Sequence, residues 1–252
     1  MQKYRYTIIF VLILSAVSAL VLAGMYAGLK EAHQKNELLF KKRSVLRSIE
    51  HMLNRPVSEM SDAEVDQLFH EKIRQYVLDA EGNILPEEKL QSLGFVEDPA
   101  IRIDRVKESK KPLEEQLFPL YVFEKDGKKY YILEVLGKGL WDLIWAFVAL
   151  EEDLNTVAGI AFDHAAETPG LGAEIKDNPN FAKQFIGKKI YDQNGNYRSI
   201  TVRKGGAKDP LFEVDAISGA TLTCDGVTEM LYRGIKYYEP FFKKVQSNQI
   251  EI

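Results

Sequence analysis

The residues most suggestive of chemistry lie near the C-terminus, where Ser218-Gly219-Ala220-Thr221-Leu222-Thr223 runs into Cys224 and an amphipathic stretch. Gly219 and Ala220 are small enough for another group to approach the backbone closely. Thr221 and Thr223 offer hydroxyls just ahead of a helix. Thr223 at that position is a natural N-cap. The unpaired N–H groups and dipole of a helix start also favour a phosphate, so a hydroxyl there could carry one. A second stretch, Glu167-Thr168-Pro169-Gly170-Leu171-Gly172, has more glycine than a plain turn requires, and its N–H groups could hold an anion or a ring carbonyl. A third, Gly137-Lys138-Gly139-Leu140-Trp141, is either a loop leading into a strand that buries Trp141 and Trp145 or an aromatic wall for a flat ligand. Neither GxxxxGK[ST] nor GxGxxG occurs.

Composition narrows the chemistry. The chain has 252 residues and a net charge of −4, with charges of both signs mixed, which gives no support to nucleic-acid binding. One cysteine, Cys224, excludes an internal disulfide. The four histidines show no metal-ligand spacing, and no metal site is expected.

These motifs need a scaffold. Tyr6 to Leu29 carries no charge; as a helix it would span ~36 Å, enough for a hydrocarbon core of about 30 Å. The apolar run continues well past the signal-peptide-like Val17-Ser18-Ala19, so an uncleaved anchor is expected. Lys3 and Arg5 precede it, but Lys30, Lys35, Lys41, Lys42 and Arg43 follow, so charge leaves the orientation open. Residues 30 to 54 read as a helical stalk ended by Arg55-Pro56. Ser61 to Glu64 is a capping box that opens a helix. Tyr76-Val77-Leu78 reads as a strand, Asp79 to Asn83 as its turn, and residues 80 to 115 as a peripheral layer of short elements.

From Pro119 the pattern strengthens. A hairpin turns at Asp126-Gly127. Residues 143–150 lean toward a strand, and 156–165 form another. Residues 178–185 suit a short helix, Asp192 to Asn196 a turn, and Tyr197 to Arg203 a strand. Gly226 to Tyr238 is a helix closed by Pro240. The expected fold class is α+β: a single N-terminal transmembrane helix, then a soluble domain with a largely antiparallel sheet and flanking helices. The expected divisions are an anchor over 1–30, a stalk and peripheral region over 31–117, and a ligand-binding domain over 118–252.

Together, GKGLW at 137–141, ETPGLG at 167–172, KGG at 204–206 and DAISGATLT at 215–223, following a single anchor, resemble the FMN-binding domain family. Within it they are most similar to the C subunits of Na⁺-translocating NADH:quinone oxidoreductases. The G subunits of Rnf-type complexes share the anchor, ETPGLG and SGAT but are generally smaller. A cofactor-free anchored binding or assembly domain is the alternative from a different class.

The resemblance implies covalent FMN, joined by an FAD-dependent flavin transferase through a phosphoester to the threonine closing D-x-x-S-G-A-T. Asp215 begins that pattern, Ser218, Gly219 and Ala220 fill it, and Thr221 is the implied acceptor. Thr223 is the near miss and the expected helix cap. Leu140, Trp141, Glu167, Thr168, Leu171 and Gly172 are expected around the flavin, with Lys204 near its phosphate or ring. The resemblance further implies a soluble domain on the periplasmic side of the bacterial inner membrane. It implies membrane lipid and the other subunits as partners, and a role relaying electrons during NADH oxidation, quinone reduction and Na⁺ export. No NADH motif or intramembrane acid is present, so this chain is not expected to bind NADH or conduct Na⁺ alone.

Overall fold

The computed structural model describes residues 2–250 and 252; Met1 and Glu251, at the outer ends of the expected anchor and ligand domain, lie outside the described residues. The chain forms two units, one ending at Phe40 and one running from Lys41. The helix α1, Gln2–Ser48, begins in the first and ends in the second. Within the first unit it is long and apolar enough to cross a membrane, and its apolar side chains, such as Phe10, Leu14 and Leu22, are exposed.

The second unit is built on an antiparallel sheet of five strands in sequence order, β1 (Ile73–Leu78), β2 (Phe118–Lys125), β3 (Lys128–Lys138), β4 (Leu143–Leu150) and β5 (Val157–His164). The hairpin β2–β3 pairs Leu120 with Leu133 through Lys125 with Lys128. Its turn residues Asp126 and Gly127 have φ of 52° and 74°, the left-handed pair a two-residue type I′ turn demands.

Side-chain alternation gives the sheet two buried faces. Tyr131, Leu133 and Val135 of β3 join Ala146, Val148, Ile160 and Phe162 in one core. That core is closed by α5 (Glu174–Asp177), α6 (Pro179–Lys183), α7 (Thr221–Lys236) and α8 (Glu239–Gln246). On the opposite face Tyr121 stacks edge-on against Phe147 and against Phe69 of α2 (Asp62–Lys72), and its hydroxyl donates to Ala100 O at 3.2 Å. Each such fully buried large side chain contributes about 1.5–3 kcal/mol by leaving water. The capping box of α2 forms as expected: Ser61 Oγ accepts from Glu64 N–H while Glu64 accepts from Ser61 N–H at 2.7 Å. The short helices α3 (Glu87–Ser92) and α4 (Arg105–Glu108) lie between β1 and β2 in sequence, and a parallel pair, β6 (Thr201–Arg203) and β7 (Glu213–Asp215), precedes α7.

Four local expectations are corrected. The helix expected to continue to residue 54 stops at Ser48: Ile49, with φ of −118° and ψ of 16°, leaves the helical region, and a single 3₁₀ turn over Glu50–Met52 follows. Gly159 of β5 lies so close beneath that a Cβ there would sit 2.1 Å from Ser48 O. The strand expected from Tyr197 contracts to Thr201–Arg203, since Ser199 has a φ of 58° that breaks extension. The helix expected from Gly226 begins at Thr221. Pro240 does not follow a helix end but occupies the second position of α8, where its missing N–H loses nothing.

Candidate functional site

The three glycine-rich motifs meet at one carboxylate. Glu167, in the loop after β5, is 5% exposed. Its Oε1 accepts from the N–H of Trp141 at 3.0 Å and, at longer range, from that of Asp142 at 3.5 Å. Its Oε2 lies 2.7 Å from Thr223 Oγ1, which donates to it. The same hydroxyl is 3.1 Å from Leu171 O. Burial alone would raise the Glu167 pKa; the hydrogen bonds from Thr223 and the backbone of Trp141, Asp142 and Leu140 outweigh it and hold the carboxyl below its usual value. Its N–H donates to His164 Nδ1 at 3.2 Å.

Glycine makes room for this pair. A Cβ on Gly172, whose φ is 156°, would sit 2.4 Å from Thr223 Oγ1, and one on Gly139 would sit 2.5 Å from Glu167 Oε1. The SGAT loop touches the ETPGLG loop directly, with Gly219 against Gly170 O.

The two threonines are separated by the geometry of the helix start. Ala220 is the N-cap of α7, with no side-chain capping bond. Thr221, the first helical residue, is exposed. Thr223 is fully buried inside the first turn. The expectation that Thr223 caps the helix is therefore corrected: its hydroxyl points away from the helix start and is committed to Glu167 and Leu171. The N-cap of α7 makes no side-chain capping bond, so the positive end of a 16-residue helix stands beside the Thr221 hydroxyl. Cys224 is buried, its Sγ accepts from Ile217 N–H, and burial pushes the thiol pKa up.

Trp141 is 59% exposed, so of the two readings of this stretch the one that buries both tryptophans is not met; Trp145 is half-buried. Leu171 and Leu222 are exposed as well, and Leu140 is half-buried. Glu167 holds the Trp141 backbone and the Thr223 hydroxyl while the Trp141 and Leu171 side chains stay exposed. Thr168 and Ser218 are exposed, and Gly172 is buried. Lys204 is exposed on a neighbouring loop. That loop turns through Gly205 and Gly206, with φ of 82° and 102°, and Asp215 Oδ1 secures it by accepting Ala207 N–H at 2.7 Å. Asp215 in turn donates its own N–H to Gln184 Oε1 at 2.8 Å. The part of Gln184 and the Glu167–Thr223 pair had no signal in the sequence, since each joins residues far apart along the chain.

The model for the FMN-binding domain family matches residues 139–236, which hold all of this geometry except Gly137 and Lys138. The C subunit of the Na(+)-translocating NADH-quinone reductase of Yersinia pestis is 34% identical, over 97% of this chain and 94% of its own. The chain belongs to the family of C subunits of Na(+)-translocating NADH-quinone reductases. The C subunit of the Pseudomonas aeruginosa reductase is 35% identical over 90% of this chain and 89% of its own. A crystal structure of the C subunit from Parabacteroides distasonis has a TM-score of 0.70 and 33% identity, covering 85% of this chain and 96% of that one. The Shewanella oneidensis NqrC, at 23% identity and a TM-score of 0.65, covers 82% of this chain and 99% of its own and shares the fold. The α+β architecture expected from the sequence is thus that of these C subunits, components of an oxidoreductase.

Proposed function

We propose that this chain is a membrane-anchored flavoprotein subunit that carries FMN on Thr221 through a phosphoester and relays electrons between redox centres of its partner subunits. The observation that carries this reading is the contrast between two hydroxyls: Thr221 is exposed at an uncapped helix start, while Thr223 is buried and hydrogen-bonded. A phosphate on Thr221 would meet the unpaired N–H groups and positive dipole end of α7. Its isoalloxazine would have Trp141, Leu171 and Leu222 to lie against, with Thr168 and Gly172 beside them and Lys204 within the adjoining loop.

Attachment needs an FAD-dependent flavin transferase. In that attachment the Thr221 oxygen would bond to the FMN phosphorus as the pyrophosphate bond to AMP breaks, the hydroxyl proton going to a base. The ester retains a cofactor whose ring must stay exposed for electron exchange. When bound, FMN supplies the redox chemistry; this chain's residues hold, orient and partly shield it. Glu167 does so indirectly, by fixing the Trp141 backbone and the first turn of α7. The anchor over 1–30 would sit in the lipid of the bacterial inner membrane, followed by the stalk and peripheral region over 31–117 and the flavin domain over 118–252 on the periplasmic side. NADH oxidation, quinone reduction and Na⁺ export belong to the assembled complex with its other subunits.

The test is a denaturing gel of full-length protein made with the transferase and viewed under ultraviolet light. Wild-type protein and Thr223→Val should carry flavin fluorescence, and Thr221→Val should carry none. Fluorescence kept in Thr221→Val and lost in Thr223→Val would move the attachment by two residues. A wild-type chain without flavin mass would overturn the reading.

A further inference from the structure

Strand β3 outruns its neighbour. Continued in phase, the β2–β3 register sets Pro119 opposite Glu134. Pro119 has no N–H to give, and the Tyr238 hydroxyl stands in its place: it accepts from Glu134 N–H at 3.3 Å and donates to Pro119 O at 2.8 Å. Two residues further the register would set Leu117 opposite Leu136. Leu117 instead turns to α4, donating its N–H to Glu108 Oε2 at 2.9 Å and accepting from Arg105 Nη1 at 2.7 Å. Glu115 N–H is likewise used, by Pro112 O. Leu136, Gly137 and Lys138 are therefore laddered to Trp145, Ile144 and Leu143 of β4 and, among the described residues, have no strand on their other side.

Main-chain groups two residues apart along a strand point the same way. Leu136 and Lys138 repeat the orientation of Glu134, so the N–H and C=O of Leu136 and the N–H of Lys138 face the open side. Lys138 O is already covered by α7, where a Cβ on Gly226 would sit 2.3 Å from it. The open side gives onto a cavity of about 610 Å³ between residues 134–139, the 222–237 face of α7, and Arg105, Ser109 and Gln116. Arg105, 6% exposed, lines it, and its buried Nε has no hydrogen-bond partner.

We propose that this edge is a docking groove for an extended segment of a partner polypeptide. The segment pairs its main chain with Leu136 and Lys138 and places an oxygen acceptor on Arg105 Nε. The occupant follows from the chemistry of the edge. Main-chain donors and acceptors spaced along one line match another strand, whereas the walls carry both signs of charge, Arg233 beside Glu229 and Lys138 near Asp225, and do not select an anion. An edge left open inside a sheet is also a hazard that folded proteins cover. The groove shares Leu222 with the proposed flavin surface, but the pairing groups of Leu136 and Lys138 are not flavin contacts, so their exchange is read apart from the cofactor.

Amide hydrogen exchange tests it on the full chain, isolated in detergent and again in the intact multi-subunit complex. The amides of Leu136 and Lys138 should exchange at least about tenfold more slowly in the complex, with Ala146 and Val148 of β4 unchanged. Leu136→Pro removes the outward N–H while leaving the ladder to β4 intact, because an edge position tolerates proline. This variant should keep its near-ultraviolet circular dichroism but recover partner subunits on co-purification at least about tenfold less well. Equal exchange in both states, or slow exchange already in the isolated chain, would overturn the proposal. So would protection conferred by phosphatidylethanolamine–phosphatidylglycerol vesicles alone, which would make the occupant a lipid. If Leu136→Pro does not fold, the wild-type exchange measurement still decides.

Discussion

The Thr223 hydroxyl donates to Glu167 Oε2 across 2.7 Å, from inside the first turn of α7 to a loop 56 residues earlier in the chain. The contact ties the helix that starts at Thr221 to the loop that also fixes the Trp141 backbone. It makes Thr223 a structural residue and leaves Thr221 the accessible hydroxyl. Replacing Thr223 with valine keeps the volume but leaves a buried carboxylate oxygen short of a donor, which costs about 1–3 kcal/mol. Thr223→Val should therefore unfold at lower denaturant while keeping its flavin, and Thr223→Ser should restore most of the loss. Unchanged stability in Thr223→Val would show that the hydrogen bond carries no weight.

Helix α7 lies against β3 at glycines. At Gly226 a Cβ would sit 2.3 Å from Lys138 O, which is backbone and cannot swing aside. Alanine would gain about 1 kcal/mol of helix propensity there, but the overpacking costs about 1–3 kcal/mol and requires the helix to move. The expected net effect of Gly226→Ala is destabilisation, read as a lower Tm. Glu229→Ala, which removes only an exposed pair with Arg233 on the same helix, should change stability by less than about 1 kcal/mol.

The end of α1 is held by a buried ammonium. Lys42 is 5% exposed, with Nζ 2.6 Å from Asp98 Oδ2 and 2.8 Å from Asp66 Oδ1. Burial raises the Asp98 pKa, but hydrogen bonds from Lys42 and Gln75 outweigh it and hold the carboxyl below its usual value. Lys42→Met removes the ammonium from the half-buried Asp98, which keeps Gln75 Nε2 at 2.7 Å and His70 Nε2 at 3.1 Å, a loss of about 1–3 kcal/mol. The double variant Lys42→Met/Asp98→Asn should recover part of it. Denaturant unfolding of the full chain in detergent would measure both, and equal stabilities for single and double variants would refute the pairing.

What the sequence made legible follows the range of the forces involved. The Asp126-Gly127 turn, the Ser61–Glu64 cap and the β4 and β5 strands rest on neighbours within a few residues, and all appear as read. The start of α7 was misplaced because its first turn is fixed by Glu167, not by a local cap. The supposed stalk ends in Val45, Leu46 and Ile49, which are fully buried, and burial against distant parts of the chain leaves no local mark. The exposure of Trp141 was likewise unreadable, since an aromatic in a loop gives no sign of which way it faces. The glycine spacing of the site was visible; the carboxylate that needs those glycines was visible only as one letter of ETPGLG.

The response of stability to pH should have two limbs of opposite origin. The Glu213 carboxyl is brought down to about 2 from 4.5, first by its hydrogen bond with Arg203 and then by the N–H groups of Lys208 and Asp209. Between those values the unfolded chain binds a proton that the native state refuses, so stability falls as pH falls through that window. Glu134 behaves in the opposite sense. Its burial outweighs the attraction of Lys41 and Arg105 and raises its pKa above 4.5. The unfolded chain then releases this proton first, and stability falls as pH rises from 4.5 toward the native value. Glu213→Gln should flatten the acid limb and leave the upper one unchanged; Glu134→Gln should do the reverse. Denaturant midpoints between pH 2 and pH 8, taken for the full chain in detergent, would separate the two. An acid limb as steep in Glu213→Gln as in wild type would show that the Arg203 pair does not set it.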